Sequence, residues 1–191
     1  ALAEARDIFQ VDSAQRSLVD TLLELACVAL DGGKVADVDS LLEEAYTRLE
    51  SLGIRDLVPY YFLLRGRLEA VKKTIETHRE AKKSFARGLK EAEEEDLREL
   101  TWQFHFHLAQ LEEAGGDPQQ SAAEHRRASE ELHEIATALP PSFQRRFYET
   151  PERGFVVEAA GTHQVARPQV DRNSPALHSA ASAEESAERE R

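Results

Sequence analysis

Apolar and small positions along this chain return in a fixed beat. Leu2, Ala5 and Phe9 recur 40 residues on as Leu42, Ala45 and Leu49, 43 further on as Phe85, Gly88 and Ala92, and 40 further again as His125, Ala128 and Leu132. A second ladder, Ala26, Gly66 and Ala109, runs beside the first with steps of 40 and 43. Self-similarity at a fixed period, with small residues at fixed offsets, marks stacked helical pairs that each bury one face on a neighbour. The pattern predicts an all-α chain: a leading half-helix at 1–10, hairpins of 13–31 with 35–51, 57–76 with 78–95, and 97–114 with 118–138, then a terminal helix near 141–150.

Turn and cap signals fall at the same period. Asp12 with Gln15, Asp56, and Asp96 with Glu99 are placed to cap the first helices, and Thr77 with Glu80 and Asp117 with Gln120 the second ones. Pro118 suits a first helical position, and Gly32-Gly33 and Gly115-Gly116 suit helix ends. The middle hairpin has three more residues between its small positions than the others, and no Gly or Pro marks its bend. Trp102, Phe104 and Phe106 alternate with Gln103, His105 and His107 as a strand would. Trp102, Phe106 and Ala109, however, fall at i, i+4 and i+7, which predicts a helix buried on two sides and the best protected element. Residues 1–155 are therefore expected to form the helical array. Residues 156–191, ending in RPQVDRNSPALHSAASAEESAERER, are expected to be a disordered tail, because too little apolar surface remains there to offset the entropy of ordering.

Composition narrows the function. A net charge of -12 repels phosphates and anionic lipid, which argues against nucleic acid or membrane as direct partner. Cys27 stands alone, so no internal disulfide is possible. No run of 18 apolar residues and no basic-then-apolar leader occurs, from which a soluble, cytoplasmic protein is expected. Methionine is absent, and the chain opens in the second half of a repeat, which suggests a segment of a longer protein.

Residues Ala26, Val38, Leu42 and Ala45, and again Ala109, Ser121, His125 and Ala128, carry small or apolar side chains at offsets of 12, 16 and 19, which resembles the tetratricopeptide repeat. Gly66, Ala81, Phe85 and Gly88 follow once three extra residues are allowed. The period exceeds that family's 34, its early aromatic is not kept, and the closing proline is missing. Stretches such as ESLGIRDLVPYYFLLRGRLEA and ATALPPSFQRRFYETPERG look like the longer repeats in helical arms of large bacterial STAND-type signalling ATPases, kinases and transcription regulators. The resemblance implies a right-handed α-α superhelix of about three hairpins with a leading half-repeat and a C-terminal capping helix. It also implies a protein-interaction scaffold rather than an enzyme.

The same resemblance places groove positions around each small residue: Asp20, Leu23, Cys27 and Leu30, then Tyr60, Leu63, Arg67 and Ala70, then Gln103, Phe106, Gln110 and Glu113. An apolar row of Leu23, Leu63 and Phe106, flanked by Tyr60, Arg67, Gln103 and Gln110, is expected to receive a partner helix or peptide. The alternative is that these side chains only pack against neighbouring helices. Carboxylate-clamp binding of chaperone tails needs asparagines in the first helices, and Asn173 in the tail is the only one.

Between Arg65 and Lys90, basic residues including Lys72, Lys73, Arg79, Lys82 and Lys83 outnumber acidic ones. They form either a stripe for an acidic partner or a solvated face with pairs such as Lys72-Glu76. His105 and His125 are expected to face each other across the third hairpin. Two imidazoles without a nearby cysteine are short of a zinc set, so no metal and no cofactor is expected. Nucleophile elbow, phosphate loop and HExxH are all missing, and Glu93, Glu94 and Glu95 diverge around a helix, which leaves no catalytic constellation. An array that starts mid-repeat also exposes an apolar end face, which makes self-association a second reading and a small-ligand or metal sensor on the third hairpin a third.

Overall fold

The computed structural model describes residues 2–161, with side chains from Ser13 onward. Its elements are α1 (Leu2–Asp31), a single 3-10 turn (Val35–Asp37), α2 (Val38–Leu52), α3 (Val58–Val71), α4 (Ile75–Glu94), α5 (Arg98–Ala114), α6 (Pro118–Thr137), α7 (Pro141–Phe147) and α8 (Pro151–Ala159). Among the described residues there is no strand, so the alternation at 101–108 belongs to a helix. No helix is long and apolar enough to cross a membrane. The expected tail from 162 onward lies outside the described residues.

Neighbours in sequence are neighbours in space. α1 packs on α2, α3 on α4, and α5 on α6, while α2 meets α3 and α4 meets α5. The odd-numbered helices also touch in series, α1 with α3 and α3 with α5. The core follows in three sections, the first around Leu23, Leu42 and Leu64, the second around Leu63, Phe85 and Phe104, the third around Trp102, Leu132 and Val156. Every ladder position from Leu42 to Leu132 is buried, as are Ala26, Gly66 and Ala109. A Cβ built on Gly66 would lie 2.8 Å from Phe85 Cζ, and one on Gly88 2.7 Å from Phe62 Cβ. Small side chains therefore mark where the helix backbones come nearest.

Several boundaries differ from expectation. The leading half-helix at 1–10 is not separate: α1 runs unbroken through Asp12, because no Gly or Pro interrupts backbone hydrogen bonding there and a capping residue alone does not stop a helix. The middle bend comes at 72–74 rather than 77. Lys73 adopts the left-handed conformation (φ 54°) usually left to glycine, and Thr74 caps α4 in a reciprocal pair with Thr77. Asp56 pairs with Arg16 instead of capping α3, and Asp96 (φ 53°) turns the chain after α4 instead of capping α5. Asp117 does cap α6, accepting from Gln120 N-H at 2.9 Å, with Pro118 beginning the helix and Gly116 (φ 83°) making the turn before it.

α5 is buried on two sides, yet it is not the best protected helix. α3 buries as many residues in a shorter span, with α1, α2, α4 and α5 all packed against it. At the C-terminal end α8 crosses the expected boundary at 155, and its Val156 is fully buried against α6.

Candidate partner-binding face

The expected groove positions fall on α1, α3 and α5, the helices that touch in series, but they divide into two kinds. Leu23 (0% exposed) and Leu63 (1%) are core residues, and Phe106 (9%) is covered by Phe155 of α8 at 6.1 Å between ring centroids. The open apolar row expected from Leu23, Leu63 and Phe106 is therefore not present. Those positions point between adjacent helices, where burying each side chain is worth about 1.5–3 kcal/mol, so packing claims them.

What reaches the surface is a polar seam. Arg67, half-buried on α3, pairs with Asp31 on α1, and its Nη1 donates to Cys27 Sγ at 3.6 Å. The Cys27 thiol in turn donates to Asp31 Oδ2 at 3.8 Å. Tyr60, two turns earlier on α3, has its phenol pushed above the usual range, first by burial and then by hydrogen bonds to Cys27 and Glu24. On α5, His107 stacks on Phe85 (5.8 Å, 11°) and its Nδ1 lies 3.2 Å from Gln110 Oε1. Burial, helped by the positive charge of Arg67, pushes His107 down to about 4, which keeps it neutral at pH 7. Gln110 is exposed, and Gln103 folds back to donate to Glu99 O at 2.8 Å.

The structure thus brings Tyr60, Arg67 and, through His107, Gln110 together across three helices, and leaves Gln103 aside. The members not placed on this face from sequence are Glu24, Asp31 and His107. A signal for two of them existed: Glu24 and His107 each stand two residues before a small position, Ala26 and Ala109, so the repeat that packs the backbones also lines up these side chains.

The basic stripe is largely neutralised. Lys72 lies 3.1 Å from Glu69 and 3.6 Å from Asp39, Arg79 3.8 Å from Glu76, Lys83 2.8 Å from Glu80, and Lys82 2.5 Å from the buried Glu112. The expected Lys72-Glu76 pair does not form, because the bend at 72–74 separates the two residues into different elements. Lys73 sits at the bend itself. A stripe of alternating pairs presents little net field.

His105 does not face His125. Its Nδ1 lies 2.7 Å from Glu124 Oε2, and Glu124 also accepts from Gln120 (3.0 Å) and Arg127 (2.9 Å). These partners outweigh burial and hold the Glu124 carboxyl below its ordinary value. His125 instead sits among Phe106 and Phe155 with Nδ1 buried and unpartnered, and Trp102 Nε1 is likewise unpartnered. Among the described residues no group of three or more His, Cys, Asp and Glu is placed to hold a metal ion. Compared with known proteins, the chain matches no family model, no curated protein and no solved structure.

Proposed function

We propose that this chain is a tetratricopeptide-like interaction scaffold, a right-handed stack of helical hairpins whose α1-α3-α5 face binds a peptide or helix of a protein partner. The observation that carries this reading is the serial contact of the odd-numbered helices, which makes one continuous face out of three separate hairpins. Recognition on that face is polar. Arg67, already desolvated and held by Asp31, offers its remaining donors to a carboxylate or backbone carbonyl, while Gln110 and Tyr60 fix register. The role read for this face is binding rather than catalysis. Membership of a larger cytoplasmic bacterial signalling protein rests on the sequence resemblance.

Photo-crosslinking in cells tests the face directly. A photoreactive residue at position 110 should capture one defined partner, and the adduct should vanish on Arg67→Glu, while the same residue at position 83 captures none. Equal capture from both positions, or persistence after Arg67→Glu, refutes the assignment.

A further inference from the structure

α1 is apolar on two sides. One side, Val19, Leu22, Leu23, Ala26 and Leu30, is buried against α2 and α3. The other carries Leu18, Leu25 and Val28, which are 37%, 52% and 66% exposed, in line with exposed Ala14 and Thr21. Positions 14, 18, 21, 25 and 28 advance by alternating steps of four and three, which keeps them within an arc of roughly 80°. Between Ala14 and Val28 no charged residue stands in that arc. This is the heptad seam one helix offers to another. Among the described residues the other large exposed apolar side chains, Leu52, Val71, Ile75, Phe143 and Phe155, lie elsewhere in the fold, Val71 and Ile75 at the bend between α3 and α4.

We propose that this seam joins two copies of the chain, α1 against α1 in antiparallel orientation. The seam complements itself. With Leu18 set opposite the partner's Thr21, Leu25 falls opposite the partner's Ala14, so a large side chain meets a small one at both of these levels and a two-fold axis repeats the pairing. In the same register Glu24 comes beside the partner's Ser17, so the seam sets no like charges together although each chain bears -12. Antiparallel packing also brings each helix N-terminus toward the partner's C-terminus, which the helix dipoles favour. A helix from another protein would have to supply this alternation of large and small, which a second copy already contains. Cys27 and Asp31 stand on a different side of α1 from this seam, with Glu24 at the border between the two faces.

Sedimentation velocity of the whole chain across a concentration series tests the proposal. The chain is expected to be a dimer that tightens as added salt screens its charge. Leu18→Glu with Leu25→Glu should weaken the dimer by more than about 100-fold, with helicity unchanged by circular dichroism because both side chains stand outside the core. Orientation is read in a Cys27→Ser background. Leu25→Cys chains alone should not cross-link, since antiparallel pairing separates the two positions by about 16 Å along the axis, whereas mixed with Ala14→Cys chains they should form a disulfide-linked pair. A wild-type chain that stays monomeric, a dimer indifferent to the two glutamates, or Leu25→Cys cross-linking to itself overturns the proposal.

Discussion

Replacing Gly88 by alanine adds one methyl group at the point where α4 lies closest to its neighbours. The new Cβ would stand 2.7 Å from Phe104 Cε1 and 2.7 Å from Phe62 Cβ, about 1 Å inside ordinary carbon contact. The Phe104 ring is fully buried and packs edge-on to Phe85 at 6.4 Å between centroids, so it has no free direction in which to turn. Phe62 Cβ is fixed to the α3 backbone, and relieving that contact requires α3 and α4 to separate. Overpacking of this kind costs about 1–3 kcal/mol, and the clash with two helices at once puts the cost at the upper end. Alanine's better helix propensity returns about 1 kcal/mol. The net loss should be about 2 kcal/mol, or a fall in Tm of about 4–8 °C for a chain of this size. Thermal and urea unfolding followed by far-ultraviolet circular dichroism measure it. A Gly88→Ala protein as stable as the wild type would show that the helices do not approach closely at the ladder positions, and the account of the repeat would fail with it.

Three other outcomes follow from named contacts. His107 is neutral in the fold down to about pH 4, whereas an unfolded histidine takes up its proton near 6.5. The unfolded state thus binds more protons across that window, stability falls as pH drops from about 6.5 to 4, and His107→Gln should flatten this slope in urea melts at a series of pH values. Lys82→Ala strands the buried Glu112 carboxylate and should cost about 1–2 kcal/mol, while Lys83→Ala, which loses only a surface pair, should cost less than about 0.5 kcal/mol; equal effects in denaturant titration would refute the distinction. Val156→Asp puts a charge at a fully buried site of α8 and should release that helix, shifting the emission of Trp102, the sole tryptophan, to longer wavelength while α1 to α4 keep their circular dichroism.

The helices and their pairing could be read from sequence because both depend on local rules repeated at a fixed period. Small residues at 26, 66 and 109 had to pack closely wherever the chain went, and Asp117-Pro118 could only start a helix. The boundaries that went astray are those set by energy balances rather than by residue type. Nothing in Lys73 or Asp96 announces a left-handed turn. Each adopts it because the helices on either side gain more from packing than one strained residue costs, about 1–3 kcal/mol. Asp12 marks the opposite case, a cap signal unused because continuing the helix left no backbone group unsatisfied.

The expected groove divided for a related reason. A periodic rule finds which residues share a face, but not how deeply that face is buried. Depth depends on how far adjacent hairpins rotate about each other. Here the packing of adjacent helices closes over Leu23 and Leu63 and leaves Cys27 and Arg67, one turn further along, half-buried at the surface. Four residues along a helix bring a net rotation of about 40°, enough to exchange an apolar groove for a polar seam. The identity of the exposed set, rather than the existence of the array, therefore decides what chemistry a partner must bring.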